Sequence, residues 1–284
     1  MDQWAESVGR VQENLECLDD RDLMGLALLL DYPAPWPDRV VPPFAHWLNS
    51  NLPARQSELG EDGHPKKGGF LPAIPYPRRM WAGSRVQLLA EFRAGQPLLH
   101  RQEIKSVEKK SGRSGDMVFV MLQHDFYCED TLVLREEQDI VYRAASTAAS
   151  PQAEPTPGSE AEVLALYEFD WWRSIRPDPV LLFRYSSATA NNHRIHYDRE
   201  YATNIEHYPG LVVHGPLIAT LLIDLYQRNN TGQRVSQFTF RSVGALFDGP
   251  PFYIMGRQTP GGAELWAVNP QGQVAMKMQL SAEP

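Results

Sequence analysis

The stretch HGPLIATLLIDLYQ at residues 214–227 decides the fold. Gly215-Pro216 is a good start for a helix, because the fixed backbone angle of proline suits the first helical turn. The apolar residues that follow cover most of the circumference of this helix: Leu217, Ile218, Leu221, Leu222, Ile223, Leu225 and Tyr226. A helix that is apolar nearly all round is buried and does not lie on a surface. The sequence therefore predicts one buried helix in the C-terminal part of the chain.

Strand-like runs separated by turn signals follow this helix. The turns are rich in glycine and proline: Asp248-Gly249-Pro250-Pro251, Pro260-Gly261-Gly262 and Asn269-Pro270-Gln271-Gly272. The predicted strands are Ser236–Phe247, Phe252–Gly256, Ala263–Val268 and Val274–Leu280. A buried helix followed by an antiparallel meander indicates a sheet wrapped round that helix, which is the hot-dog arrangement. Two runs before the helix, Val163–Trp171 and Pro179–Ser186, are also predicted to be strands.

The N-terminal part of the chain can be interpreted in the same way, although no sequence repeat relates it to the C-terminal part. A helix is predicted at about Asp22–Leu30, followed by a proline- and glycine-rich connection at Asp62–Arg85. Strands are then predicted at Val86–Phe92, Leu98–Val107, Met117–Tyr127 and Thr131–Tyr142. We therefore predict an α+β fold of the double hot-dog type, in which two antiparallel sheets each wrap round a helix.

A small, polar, proline-bearing segment separates the two parts. Its sequence, AASTAASPQAEPTPGSEAE at residues 144–162, has nothing to bury and cannot offset its ordering entropy, so it is predicted to be a flexible linker. The predicted units are an N-terminal hot-dog domain at 1–143, the linker at 144–162 and a C-terminal catalytic hot-dog domain at 163–284.

Composition narrows the class of protein. The 284 residues are 43% hydrophobic and 22% charged, as in folded soluble proteins. The net charge of −8 argues against nucleic acid as a partner, since phosphate binding requires a basic surface. Leu23–Leu30 is too short to cross a membrane, and the residues before it show no apolar core of signal-peptide length. Two cysteines, Cys17 and Cys128, cannot build a disulfide framework. A cytoplasmic protein without a membrane partner is expected.

The densest chemistry precedes the buried helix. Tyr185–Asp198 reads YSSATANNHRIHYD, a polar loop with amides and two histidines. His196 is a candidate general base, since imidazole titrates near neutral pH. Asn191 has donors and an acceptor with which to orient a water molecule. The N–H of Gly215 at the helix start is suited to the growing charge on a thioester oxygen.

Each of these residues also has an ordinary structural interpretation. A single histidine more often forms a structural hydrogen bond than acts in catalysis, and an asparagine in a loop is usually a turn former. His214 is interpreted as structural, holding the loop to the start of the helix. His193 is ambiguous, and a structural role is favoured for it as well. The combination of the loop with the start of a buried helix is what favours catalytic roles for Asn191 and His196.

These residues resemble the MaoC-like, R-specific enoyl-CoA hydratases. The hydratase motif of that family, Ser-Gly-Asp-x-Asn-Pro-Leu-His, aligns with residues 189–196, TANNHRIH. Asn191 lies at the position of the family's catalytic aspartate and His196 at that of its catalytic histidine. His214-Gly215 matches the His-Gly before the family's central helix, which implies that the Gly215 N–H is the oxyanion donor. The resemblance also implies a hot-dog fold.

Longer sequence segments, spread over nearly the whole chain, resemble one subgroup of these hydratases. They include DGHP at 62–65, RRMWAG at 78–83 and HRIHYD at 193–198. These look like the methylfumaryl-CoA (mesaconyl-CoA) and itaconyl-CoA hydratases, and the last phrase is shared with the mitochondrial type-2 hydroxyacyl-thioester dehydratases. The resemblance implies that only the C-terminal hot dog keeps the catalytic pair. The N-terminal part indeed has no Asp or Asn five residues before a His.

The amide of Asn191 cannot act as an acid or base, so proton transfer is expected to fall on His196. A dicarboxylic acyl group would need an arginine partner, for which Arg194 and Arg184 are candidates, although either could equally be paired with an acid at the surface. No cofactor or metal is expected, because acid–base chemistry suffices to hydrate an enoyl thioester.

The expected partner is a small-molecule acyl-CoA, and the resemblance implies hydration of itaconyl-CoA or methylfumaryl-CoA to citramalyl-CoA. For the oligomeric state, a homodimer is considered. Two alternatives stay open: a dehydratase acting on hydroxyacyl thioesters of CoA or acyl-carrier protein in fatty-acid synthesis, and a non-catalytic hot-dog protein that binds acyl-CoA.

Overall fold

The computed structural model describes residues 4–48, 54–112, 115–143 and 158–284. The α-helices in these ranges are α1 (Asp20–Leu29), α2 (Glu160–Leu164), α3 (Pro179–Ala188) and α4 (Gly215–Asn229). The strands are β1 (Val11–Cys17), β2 (Arg78–Leu88), β3 (Pro97–Gly112), β4 (Gly115–Cys128), β5 (Thr131–Arg143), β6 (Trp171–Ile175), β7 (Arg234–Ser242), β8 (Phe252–Thr259), β9 (Gly262–Val268) and β10 (Val274–Glu283). Short 3-10 helices include Ala45–Leu48 and Arg194–His196, and a π-helix spans Tyr201–Ile205.

All of these strands join in a single antiparallel sheet with the order β1-β3-β4-β5-β2-β7-β10-β9-β8-β6. The first five strands in this order come from the N-terminal part of the chain and the other five from the C-terminal part. The two parts join where β2 pairs with β7, from Gly83 opposite Arg241 to Gln87 opposite Gln237. A side chain at Gly83 would place its Cβ 2.3 Å from the carbonyl oxygen of Phe240, so the close approach at this junction requires glycine.

The helix α4 is the core of the C-terminal hot dog. Every residue from Pro216 to Tyr226 is buried, and the helix packs against β6, β8, β9 and β10. The prediction from the apolar pattern is therefore confirmed. The buried carboxylate of Asp224 on α4 accepts hydrogen bonds from Arg173 at 2.6 Å, Arg228 at 2.8 Å and the Tyr32 hydroxyl at 2.7 Å. Because Tyr32 belongs to the N-terminal part, this network also connects the two parts of the chain.

Two predicted strands are wrong, because both regions contain helices. Val163–Trp171 begins inside α2, and only its last residue belongs to β6. Ser159 and Glu162 form a capping box that starts α2. Pro179–Ser186 lies in α3, where the Asp178 carboxylate accepts from Leu181 N and proline occupies the first turn. In both cases a capping residue outweighs the strand-like apolar run.

The other predicted elements are confirmed with shifted ends. The helix predicted at Asp22–Leu30 is α1, and β2 begins at Arg78, inside the region predicted to be a connection. The strand β1 was missed. Its two faces are exposed and half-buried in alternation, so an edge strand of this kind carries no apolar pattern.

Residues 144–157 of the predicted linker lie outside the described residues, and its last residues form the N-cap and first turn of α2. The linker and domain boundaries therefore stay predictions. Among the described helices, none combines the length and apolar character that a membrane span needs.

Candidate active site

A cleft of about 720 Å³ contains the predicted site. One wall comes from the loop and helix start of the C-terminal part, including Asn191, His196 and Gly215. The opposite wall comes from the N-terminal part, including His64 and Arg79. The structure thus brings the three residues predicted for the reaction into one cavity, together with residues that lie more than 100 positions away in the sequence.

The loop that carries Asn191 begins where α3 ends. The Asn191 N–H donates to Ser186 O at 2.9 Å, and the Asn191 Oδ1 accepts from the His193 N–H at 3.1 Å. This side-chain-to-backbone bond forms a turn and occupies the amide oxygen. The amide NH2 group is then the part of Asn191 available to a water molecule in the cleft.

His196 is held as a neutral imidazole with a defined tautomer. Its Nδ1–H donates to the carbonyl oxygen of Val212 at 2.7 Å, which makes Nε2 the basic nitrogen. The ring is buried, and burial lowers the pKa of His196 to about 4. His196 is therefore uncharged at neutral pH and able to accept a proton.

His214 packs directly against His196, with ring centroids 3.7 Å apart. It occupies the N-cap position of α4, where its Nε2 lies 2.8 Å from Ser186 Oγ. Burial lowers the pKa of His214 well below its ordinary value, so this ring is also neutral. The contact joins α3 to the start of α4, a geometry that fits the positioning role predicted for His214.

Gly215 is the first residue of α4 and lines the cleft. Its N–H has no acceptor inside the helix, since the first N–H groups of any helix lack one, and the helix dipole adds partial positive charge at this end. A Cβ at this position would lie 3.6 Å from Ser242 Oγ and 4.0 Å from the Trp81 carbonyl oxygen, both ordinary contacts. The glycine is therefore not required by local packing.

Arg194 does not line the cleft. Its guanidinium forms an ion pair with Asp198 at 2.6 Å, donates to the Glu61 carbonyl oxygen at 3.0 Å and lies over the ring of Tyr201. These contacts give Arg194 a role in holding the loop. Arg184, the second arginine considered for substrate binding, is exposed on α3.

The contribution of the N-terminal loop Asp62–Pro65 was missed. A Cβ at Gly63 would lie 1.9 Å from Asn192 O, so only glycine allows the two loops to touch here. The Arg194 N–H donates to Asp62 O at 2.9 Å, and the rings of His64 and His193 are 4.1 Å apart. DGHP at 62–65 combines a turn glycine with two titratable residues, and this was the available signal for it.

Asp62, His64 and His193 have potential ligand atoms within 4.8 Å of one another. The nearby guanidinium of Arg79 disfavours a cation at this position, since it adds to the effect of burial in lowering the pKa of His64 to about 4. The Asp62 carboxylate instead contacts His64. Its Oδ1 accepts from the His64 backbone N–H at 3.0 Å, and its Oδ2 lies 3.3 Å from His64 Nδ1. These contacts make the cluster two neutral imidazoles and one ionised carboxylate beside the positive charge of Arg79.

Comparisons with known proteins match most of the chain. The family model of hydroxyacyl-thioester dehydratase type 2 matches residues 44–248, a span that includes both walls of the cleft. Mesaconyl-C(4)-CoA hydratase of Chloroflexus aurantiacus is 42% identical over 275 residues, which cover 96% of this chain and 95% of the relative.

Solved structures share the fold. The MaoC-like dehydratase of Phytophthora capsici has a TM-score of 0.69 at 12% identity, covering 98% of this chain and 97% of that one. A Mycobacterium tuberculosis protein described as a double hot dog has a TM-score of 0.55 at 14% identity, covering 97% of this chain and 96% of that one. The chain therefore belongs to the hydroxyacyl-thioester dehydratase type 2 family, and it is a double hot-dog enzyme of the hydratase/dehydratase class.

Proposed function

We propose that the enzyme adds water reversibly to an enoyl-CoA whose acyl group is methyl-branched and carries a second carboxylate. Methylfumaryl-CoA (mesaconyl-CoA) and itaconyl-CoA, both converted to citramalyl-CoA, are the proposed substrates. The observation that carries the proposal is the charge of the cleft in a chain of net charge −8. Among the described charged residues that line it, one is acidic and five are basic: Glu58, Lys66, Lys67, Arg78, Arg79 and Arg143. Such walls favour an anionic ligand. The high identity to a mesaconyl-C(4)-CoA hydratase supports the same substrate class.

With mesaconyl-C4-CoA, whose double bond is conjugated with the thioester carbonyl, the reaction is a single addition in which every proton is accounted for. In itaconyl-CoA the double bond lies between the β- and γ-carbons, so this substrate must first isomerise to mesaconyl-C4-CoA by losing a proton from the α-carbon and gaining one at the γ-carbon. Water attacks the β-carbon while His196 Nε2 removes one of its protons. The electron pair of the double bond moves onto the thioester oxygen, whose negative charge the Gly215 N–H stabilises. The protonated His196 then gives the same proton to the α-carbon, and the thioester carbonyl is restored. The NH2 group of Asn191 holds the water in place for attack.

The pH dependence of kcat/KM follows from the neutral state of His196. Protonation removes the base, so activity should be lost as the pH falls toward the pKa of about 4 and should not fall near the ordinary histidine pKa of 6.5. We expect kcat/KM to be nearly constant from about pH 8 to about pH 5.5, measured while circular dichroism confirms the fold. An acid limb with its midpoint near pH 6.5 would show that the working base is a solvated histidine.

The proposed substrate class is tested with a panel of thioesters and the wild-type enzyme. Loss of the enoyl-thioester absorbance is followed for mesaconyl-C4-CoA, crotonyl-CoA and crotonyl-acyl-carrier protein. Itaconyl-CoA has no conjugated enoyl thioester, so formation of citramalyl-CoA from it is followed by chromatography. We expect the highest kcat/KM with a dicarboxylic CoA ester. Preference for the acyl-carrier-protein thioester, or for crotonyl-CoA over both dicarboxylic esters, would overturn the proposal.

A further inference from the structure

Arg79 is a basic residue of the cleft that the reaction described above does not use. Arg143 also lines the cleft without an ion pair among the described residues, but it is the charge of Arg79 that acts on His64 and His193. Arg79 lines the cleft from strand β2. Its neighbour Arg78 is already paired, with Nε 3.2 Å from Glu206 Oε2 and Nη2 2.6 Å from Glu206 O. Within the described ranges of the chain, by contrast, Arg79 has no ion pair within 4.0 Å, which leaves its guanidinium available to an anion.

Tyr142 lies directly opposite Arg79 on the adjacent strand β5 and also lines the cleft. Residues opposite each other in an antiparallel pair have neighbouring side chains. The side chain of Tyr142 is fully buried, and its hydroxyl has no hydrogen-bond partner among the residues that the structure describes. Burial raises the pKa of Tyr142, and the neighbouring Arg79 opposes this rise. A buried hydroxyl without a partner is costly, which favours a small shift that brings it to the Arg79 guanidinium or to a ligand oxygen.

The imidazole rings between Arg79 and the catalytic base carry no charge of their own. His193 has its ring centroid 5.5 Å from that of His196 and 4.1 Å from that of His64. Burial, with the charge of Arg79 contributing, lowers the pKa of both His64 and His193, so both rings are neutral at pH 7. The Asp62 carboxylate is hydrogen-bonded to His64. Against the effect of burial, the bonds to His64 and the charge of Arg79 lower the pKa of Asp62, so it carries a negative charge near Arg79 without an ion pair to it within 4.0 Å among the described residues.

We propose that Arg79, with the hydroxyl of Tyr142 beside it, is the receptor for the free carboxylate of the acyl group. This inference rests on the proposed function. In mesaconyl-C4-CoA the free carboxylate is bonded to the β-carbon, which is the atom that water attacks. Its receptor must therefore lie in the same cleft as His196, which excludes Arg194 and Arg184. Arginine suits this task because its planar fork can bind both carboxylate oxygens.

The proposal predicts a selective loss of one class of substrate. Arg79→Gln should lower kcat/KM for mesaconyl-C4-CoA by about 100-fold, as expected when one partner of a desolvated charge pair is removed. Crotonyl-CoA has a methyl group at the trans position of the free carboxylate and therefore offers Arg79 no anion, so its kcat/KM should change by less than about threefold. Tyr142→Phe should lower the value for mesaconyl-C4-CoA by about tenfold and leave crotonyl-CoA unaffected.

A matched control lies on the same strand. Arg85 also belongs to β2, but the bulge between Trp81 and Gly83 turns the strand, and Arg85 pairs with Glu137 and Asp139 outside the cleft. Arg85→Gln should leave both substrates unchanged, which controls for loss of an arginine from β2.

The outcomes separate this inference from the proposed function. If wild type prefers mesaconyl-C4-CoA and Arg79→Gln lowers kcat/KM equally for both substrates, or for neither, Arg79 is not the carboxylate receptor and the proposed function stands. If wild type shows no preference for the dicarboxylic ester, the proposed function fails, and with it the need for a receptor. The inference is supported if Arg79→Gln, and not Arg85→Gln, reverses the preference for mesaconyl-C4-CoA over crotonyl-CoA. Thermal melting of each variant checks that the fold is retained.

Discussion

Replacing His196 by alanine is expected to lower kcat by about 10²- to 10⁴-fold, the usual contribution of a positioned general base. The structure gives His196 a fixed tautomer, since its Nδ1–H donates to Val212 O at 2.7 Å, and a neutral ring that faces the cleft. Binding of an unreactive saturated ester such as butyryl-CoA should change little, because the proposed role of the ring is to move a proton and not to hold the substrate. Stopped-flow absorbance gives kcat, and calorimetry gives the Kd.

The alanine variant also leaves the buried Val212 carbonyl without its donor, which costs about 1–3 kcal/mol of stability. His196→Asn is the second variant, because its amide can still donate to that carbonyl but cannot act as a base. His207→Asn is the control, since His207 does not line the cleft and its φ of 58° suits asparagine. Activity within tenfold of wild type in both His196 variants would exclude His196 as the base.

Removal of the Gly215 N–H is the second change for which a large loss of kcat is expected. Gly215→Pro deletes this donor and is expected to lower kcat by about 10²- to 10³-fold, as for the loss of one oxyanion donor. The backbone can accept proline here. The position is the first of α4, and the preceding His214, at φ −61° and ψ 132°, has the extended conformation that a following proline demands.

Gly215→Ala is the matched control, since it adds a Cβ in the same place and keeps the N–H. Its methyl group would meet Ser242 Oγ and the Trp81 carbonyl oxygen at ordinary distances, so kcat should fall less than about tenfold. Equal activity in the proline and alanine variants would show that the N–H of Gly215 does not bind the thioester oxygen.

Local signals in the sequence predicted the helix at the centre of the C-terminal hot dog and the residues next to it. The helix α4 is apolar nearly all round, so its burial could be predicted without knowledge of any distant contact. Asn191, His196 and Gly215 lie within 25 positions of each other, and the structure places all three in the cleft. The helix α3 shows the limit of this approach. Its run of apolar residues looks like a strand, and the capping carboxylate of Asp178 decided the outcome.

The opposite wall of the cleft could not be predicted, because it depends on contacts between distant segments. Asp62 O accepts from the Arg194 N–H across 132 positions, and Gly63 is pressed against Asn192 O. Arg194 was considered for the substrate because it lies in the motif. Asp198 lies four residues later, a spacing at which an ion pair within a helical turn is expected, and that pair is present. Arg79 is an arginine of the cleft without an ion pair among the described residues, and only the pairing of β2 with β5 places it beside Tyr142.

The central claim is that one imidazole both takes a proton from water and returns it to the substrate. A single group on one face of the alkene can deliver only to that face. Hydration of mesaconyl-C4-CoA in D2O, with the product analysed by NMR, should therefore place deuterium at the α-carbon on the same face as the new hydroxyl. Deuterium on the opposite face would require a second acid across the substrate and would contradict the proton transfer assigned to His196.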